Sequence, residues 1–169
     1  VLCSPNFLYL REDVRSAESR ITDTELASRL SYFLWSAMPD AELLKLAAEN
    51  RLSDPAVLRG QVERMLGDDK SDHFIRNFTG QWLHLREINA TTPDAKVYPD
   101  FDEILQYSMV EESRAFFREI LTRDLPVVNF LDSEFAILNG RLAEHYGVPG
   151  VKGMELRPGR LPKESVRGG

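Results

Sequence analysis

The sequence predicts an all-α fold, an irregular helical bundle of about six helices with an extended C-terminal arm. Helix-start signals recur along the 169 residues, and each is followed by apolar side chains at helical spacing. No convincing strand pair or internal repeat accompanies them. Because 169 residues are enough to bury a sizeable core, these helices are expected to form one globular domain.

The first predicted helix, residues 22–37, is apolar on nearly every side. Thr22 and Glu25 have the spacing of a capping box, and Pro39 ends the helix. One side carries an apolar stripe, and Trp35 lies opposite it. A central helix needs apolar cover on both sides, so Trp35 is predicted to be buried beneath the aromatic-rich segments 74–85 and 101–121. An interface exposed to a partner is the alternative. The predicted stripe is Leu26, Leu30, Phe33, Leu34 and Ala37.

Start and stop residues place three more helices before residue 90. Asp40 caps "AELLKLAAEN", and Asp54 followed by Pro55 starts a third helix that Gly67 closes. Ser71 opens a fourth helix with an apolar stripe. That stripe is predicted to be Phe74, Phe78, Trp82 and Leu85.

The second half of the chain starts with a loop from about Asn89 to Asp100. The longest helix follows, roughly from Phe101 to Arg123, with a short helical turn near Asn129. Asn139 caps a last helix that ends at Tyr146 and is closed by Gly147.

Proline and glycine dominate the remaining residues, which indicates an extended arm. We therefore expect a single helical domain at residues 1–150, in which 1–20 is an entry segment from a preceding module. Residues 151–169 are expected to be a linker towards a following module, since both ends resemble cuts in a longer protein.

Charge and composition disfavour several classes of function. The net charge of −6 is spread along the chain, and no basic patch suggests a nucleic-acid partner. No apolar run approaches the roughly 20 residues of a membrane span, and no signal peptide opens the sequence. Cys3 is the single cysteine, so no internal disulfide and no zinc cluster is expected.

Motifs for haem attachment, phosphate binding, serine hydrolysis and zinc proteolysis are all missing from the sequence. His73 and His84 fall on one predicted helix, but eleven residues separate them by about 16 Å, too far for one metal ion. A solvated helix face is the favoured interpretation of both, and neither a metal nor a cofactor is expected in this chain.

Three residues are weak catalytic candidates. Glu112 lies in the middle of the apolar face of the long helix, where a carboxylate needs a partner. A buried ion pair with Arg29 or Arg76 is the favoured interpretation, and a general acid or base with a raised pKa is the alternative. His145 lies near a helix C-terminus, where its charge is favourable, and Tyr32 is the third candidate.

Four separated motifs occur in the order and spacing of a known family. They are "ELASRLSYFLWSAMPDAELLKLA", "FTGQWLHLREI", "YPDFDE" and "FLDSEFAILNGRLAEHYGV". Over residues 1–150 the chain resembles a planctomycete-type domain of unknown function, the third planctomycete-specific domain. Such domains occur in large multi-domain proteins that also carry c-type cytochrome segments.

This resemblance implies an exported, for example periplasmic, parent protein whose haem c is bound by other segments, and it transfers no catalytic residue. The expected role is a non-catalytic module that packs or docks against neighbouring domains of the same parent. The alternative is one wall of an oxidoreductase site assembled between modules, with Glu112, Tyr32 or His145 taking part.

Overall fold

The computed structural model describes residues 21–90 and 92–161. Cys3, the predicted entry segment 1–20 and residues 162–169 of the predicted linker lie outside them. The chain divides into two compact units, Val1–Phe74 and Ile75–Gly169, which we call the N-terminal and C-terminal units. The expected module boundaries at residues 150 and 151 stay a prediction.

Helices dominate both units, which confirms the all-α prediction. Short 3₁₀ turns lie at Asp69–Ser71, Leu85–Glu87 and Val127–Phe130, the last at the position of the turn predicted near Asn129. No helix of the described ranges has the length and apolar character needed to cross a membrane. The six α-helices among the described residues are α1 (Asp23–Trp35), α2 (Ala41–Ala48), α3 (Pro55–Leu66), α4 (Asp72–Trp82), α5 (Glu103–Thr122) and α6 (Gly140–Tyr146).

Helix α1 starts where its capping box predicts. The Thr22 backbone N–H donates to the Glu25 carboxylate at 2.6 Å, and the Glu25 N–H donates to the Thr22 hydroxyl at 3.3 Å. The helix ends at Trp35, two residues before the predicted end, because Ser36 adopts a left-handed conformation (φ 53°). These two bonds satisfy backbone N–H groups that the first turn of a helix leaves without an intrahelical partner.

Trp35 is the largest side chain in the core of the N-terminal unit and is only 2% exposed, which confirms its predicted burial. Its indole N–H donates to the Met65 carbonyl oxygen at 2.9 Å. Of the predicted cover, Phe74 does pack against this core, but the buried residues around Trp35 come from α2, α3 and Leu52 between them. The core consists of Ala27, Leu34, Trp35, Leu43, Ala47, Leu52 and Met65.

The buried face of α1 also differs from the predicted stripe. Phe33 was placed on the core side, yet it is 59% exposed and lies against the Phe74 ring at 5.0 Å. Ala27 and Ser31, which were not in the predicted stripe, are fully buried. The core therefore packs against the side of α1 that lies between the predicted stripe and the side opposite it. Because α1 is apolar on nearly every side, its sequence does not determine which side faces the core.

Two aspartates fix the ends of helices in this unit. The buried Asp23 carboxylate accepts from the Leu52 backbone N–H at 2.6 Å. Asp40 caps α2 by accepting from the Leu43 N–H at 3.0 Å, and it pairs with Arg64 at 2.8 Å. Burial raises the pKa of Asp40, but these bonds and the Arg64 charge outweigh it and hold that pKa below its ordinary value of 3.8.

The C-terminal unit packs α5 and α6 around a two-stranded antiparallel sheet, β1 (Phe135–Leu138) and β2 (Arg157–Arg160). The prediction of no strand pair is wrong, and Leu156, next to β2, packs against the core. Pro158 and Gly159 both disfavour a strand, which is why β2 escapes detection. Proline is tolerated because β2 has a partner on one side only.

Asn139 joins α6 to this core. Its side-chain oxygen accepts from the Leu142 N–H at 2.9 Å, and its amide donates to the buried Ser108 hydroxyl at 2.9 Å. At the other end Gly147 closes α6 in the left-handed conformation (φ 69°). Both predicted caps of α6 are confirmed, and together they fix the position of Tyr146, the last residue of the helix.

Candidate functional site

An open cavity of about 390 Å³ lies within the C-terminal unit. Six aromatic rings form much of its wall, and one carboxylate, Glu112, is part of it. Helix α5 contributes residues 112, 113, 116 and 117, a spacing that places them on neighbouring positions of one helix face. The aromatic members of the wall are Trp82, Phe116, Phe117, Phe130, Phe135 and Tyr146, and the others are Leu83, Glu112, Ser113, Leu131, Ala136 and Leu161.

The chain between α5 and β1 is shaped so that Phe130 faces the cavity. After α5, Asp124 takes a left-handed conformation (φ 49°), and Pro126 precedes the 3₁₀ turn. The Asn129 amide donates to the Pro126 carbonyl at 2.8 Å and closes that turn. Ser133 then donates to the Phe135 carbonyl at 2.9 Å at the start of β1. These local bonds set the positions of Phe130 and Phe135.

Four aromatic side chains form a closed ring of contacts beside the cavity. Ring centroids lie 5.7 Å apart for Phe78 and Trp82, and 5.5 Å for Trp82 and Phe130. Phe130 and Phe117 are separated by 5.9 Å, and Phe117 and Phe78 by 5.4 Å. Tilted and edge-to-face pairs at such distances each add about 0.5–1.5 kcal/mol beyond area burial. We call Phe78, Trp82, Phe117 and Phe130 the aromatic ring cluster.

The stripe predicted for the fourth helix is not the buried face of α4. Phe78 is 39% and Trp82 is 50% exposed, whereas the buried residues of α4 are Ile75, Thr79 and Gly80. Sequence patterning treated the large aromatics as core because apolar residues at that spacing usually are. In this chain Trp82 lines a cavity open to solvent instead, and Phe78 lies beside Trp82.

Glu112 is held by a residue that sequence analysis missed. The Tyr146 hydroxyl donates to Glu112 Oε2 at 2.6 Å, a short bond that joins α6 to α5 across 34 residues. At 2.6 Å this bond lies at the short end of the range for O–H···O hydrogen bonds. The expected pairing of Glu112 with Arg29 or Arg76 stays a prediction. In the sequence, the one signal for Tyr146 is its position as the last residue of a helix that Gly147 closes.

The other predicted candidates lie elsewhere. His145 is exposed beside the cavity residue Tyr146, with ring centroids 5.4 Å apart, but it does not line the cavity. Tyr32 belongs to the N-terminal unit and is 50% exposed on α1. His73 and His84 are both exposed, as a solvated surface requires. Within residues 21–90 and 92–161 no group of three or more His, Cys, Asp and Glu side chains could hold a metal ion.

Comparison with known families adds a family assignment. The model of the family described as "PSD4: Protein of unknown function (DUF1592)" matches residues 21–148, well over half of the chain. The chain belongs to the DUF1592 family. No curated protein and no solved structure matches it significantly. The DUF1592 match ends two residues after Tyr146, so it includes the Glu112–Tyr146 pair and all of the aromatic ring cluster.

Proposed function

We propose that this DUF1592 chain is a non-catalytic docking module of a larger exported protein whose other segments bind haem c. Its occupant is a neighbouring module of the same protein. Membership in an uncharacterised domain family supports a modular role. The planctomycete-type, cytochrome c-associated setting is supported by the resemblance of the four sequence motifs alone. In this proposal the chain itself holds neither haem nor metal, which an absorption spectrum and metal analysis of the purified chain will test.

One observation carries the docking role, namely the exposed apolar rim of the cavity. We define the docking rim as the exposed apolar residues of the cavity wall, Trp82, Leu83 and Leu131. Leu131 is 83% exposed, Trp82 50% and Leu83 43%. Apolar side chains gathered around a cavity mark interaction sites more often than scattered surface residues do, and aromatics are enriched in the centres of interfaces.

The binding of the purified chain to the neighbouring modules of its own larger protein tests this role. In calorimetry, Leu131→Asp should raise the dissociation constant by at least about tenfold, because the substitution buries a charge in an apolar interface. Val97→Asp is the matched control, since Val97 is also exposed (64%) in the C-terminal unit but lies outside the rim. Equal affinities for all three proteins would refute the docking rim.

The hydrogen-bonded Glu112–Tyr146 pair in the cavity wall favours a second function. In this second function the cavity is one part of an oxidoreductase active site assembled between modules, and the Glu112 carboxylate is a proton acceptor. In that case Glu112→Gln lowers the turnover of the intact protein by about 10²–10⁴-fold while the modules still bind one another. The docking proposal predicts unchanged turnover whenever module binding is intact.

A further inference from the structure

We propose that the cavity of the C-terminal unit binds a neutral, planar aromatic molecule of about two fused rings. This inference goes beyond the docking role and does not depend on it, because the ligand lies inside the cavity whether or not a module contacts the rim. Three features of the C-terminal unit carry it, namely the size of the cavity, the chemistry of its wall and the local bonds that fix that wall.

The size of the cavity suits a small molecule. Its volume of about 390 Å³ falls within the range of about 300–1,000 Å³ that is typical of small-molecule sites. A cavity of about 150 Å³ lined by Leu, Ile and Phe binds a single benzene ring. The larger volume of this cavity therefore accommodates two fused rings.

The wall of the cavity presents aromatic rings in two orientations. Trp82 meets Phe130 edge to face with ring centroids 5.5 Å apart, whereas Phe116 and Phe135 are stacked at 5.1 Å. A flat ring placed against this wall contacts both faces and edges of rings, in the offset-stacked and edge-to-face arrangements that aromatic pairs prefer. Such pairs are more favourable than burial of the same apolar area alone. The wall therefore favours an aromatic ligand over a saturated one.

The same wall favours a ligand without charge. Most of its side chains are apolar, and a charged group placed against them loses its hydration without compensation. Glu112 is the charged member of the wall, and its carboxylate already accepts the Tyr146 hydroxyl bond at 2.6 Å. The proposed ligand makes no bond to Glu112 and needs only apolar and ring contacts.

Local bonds fix the wall independently of any ligand. The Asn129 amide closes the turn that positions Phe130, and the Ser133 hydroxyl donates to the Phe135 carbonyl at 2.9 Å. Phe135 is also paired with Arg160 in the two-stranded sheet. A wall held in this way resists collapse into the cavity, and the space left open lacks contacts that a ligand would supply. Binding therefore needs little rearrangement of the protein.

An NMR titration of the purified chain with 2-naphthol, which is neutral at pH 7, tests this assignment. The Trp82 indole N–H signal reports binding, and the signal of Trp35, buried in the core of the N-terminal unit, is the internal control. We expect a dissociation constant on the order of 100 μM for a ligand of this size.

Two related compounds test the chemical class of the ligand. Decahydro-2-naphthol, the saturated counterpart with the same hydroxyl, should bind at least about threefold more weakly than 2-naphthol, because it cannot pair with the rings of the wall. Naphthalene-2-sulfonate keeps the two rings and adds a negative charge. It should bind at least about tenfold more weakly, because the apolar wall does not compensate the lost hydration of that charge.

Substitutions of Ser113 test the location of the ligand. Ser113 belongs to the cavity wall on α5, so Ser113→Phe places an additional ring in the cavity and should weaken 2-naphthol binding at least about tenfold. Ser113→Ala is the matched control, since it leaves the cavity open and should change the dissociation constant by less than about twofold.

If Ser113→Phe does not fold, Phe130→Leu replaces it. This substitution removes one ring from the wall and should lower the preference for 2-naphthol over its saturated counterpart about two- to threefold. Phe101→Leu is its control, because Phe101 packs in the same unit outside the cavity wall, and it should leave that preference unchanged.

An unchanged Trp82 signal at about 1 mM 2-naphthol overturns the inference. Equal binding of 2-naphthol and its saturated counterpart overturns the aromatic class, and equal binding by the cavity variants and their controls overturns the location. The docking role is tested separately by the neighbouring modules. If those modules bind while 2-naphthol does not, only this inference fails. If 2-naphthol binds while the modules do not, the docking role fails and the ligand site stands.

Discussion

Replacing Trp35 by alanine is expected to lower the free energy of unfolding by about 3–5 kcal/mol. The side chain is 2% exposed and packs in the core of the N-terminal unit, so its removal leaves a large cavity. The Met65 carbonyl also loses its indole donor, and an unpaired buried acceptor costs about 1–3 kcal/mol. Lys70 lies 4.6 Å from the ring centroid, a contact that adds about 0.5–1 kcal/mol. We therefore expect a value in the upper half of the range.

Urea unfolding followed by circular dichroism measures this loss, and Tyr32→Ala provides the matched control. Tyr32 is an aromatic residue on the same helix but is 50% exposed, so its replacement should cost less than about 1 kcal/mol. Iodide should also quench Trp35 fluorescence poorly in a Trp82→Phe background. Ready quenching, or a loss below about 1 kcal/mol for Trp35→Ala, would refute the burial argument.

Four further substitutions have outcomes fixed by local geometry. Gly140→Ala should destabilise the chain by about 1–3 kcal/mol, because a Cβ at residue 140 would lie 3.0 Å from a backbone oxygen. Gly60→Ala should instead stabilise the chain by about 0.5–1 kcal/mol, because Gly60 lies within a helix and a Cβ there would meet open space. Both are measured by urea unfolding, and equal effects would contradict the geometry. The pKa of Asp40 is lowered in the folded state, so ionised Asp40 stabilises the fold above pH 3.8, and this stabilisation is lost as pH falls through the folded-state pKa. The difference in free energy of unfolding between the unchanged protein and Asp40→Asn should therefore shrink between pH 7 and pH 2.5. A constant difference would exclude this linkage. Tyr146→Phe removes the donor to Glu112 and should cost about 1.5–3 kcal/mol, and an unchanged melting temperature would show that the bond is weak.

The sequence predicts helix ends better than it predicts helix faces. The caps at Thr22, Asp40, Asp54, Asn139 and Gly147 are confirmed, because each depends on contacts within about four residues. A helix face depends instead on the partners that pack against it, which lie far away in sequence. That is why the buried face of α1 and the stripe of α4 both differ from prediction.

The candidate site shows the same limit. Glu112 was found because a carboxylate on an apolar face is unusual, but its partner Tyr146 is 34 residues away. Trp82 and Phe130 were expected in a core or a turn, and only the packed structure brings them together around a cavity. Strand β2 was missed because its own proline and glycine do not favour a strand. Pairing with β1 makes this segment a strand.

Hydrogen exchange of the rim segment in the intact larger protein tests the docking proposal most directly. The Leu131 and Asp132 N–H groups both donate to the Val128 carbonyl at 2.9 Å, in a segment whose side chains are exposed. If a neighbouring module covers the rim, these amides should exchange at least about tenfold more slowly in the larger protein than in the purified chain. Equal exchange rates in the two proteins would contradict a docking role for this surface.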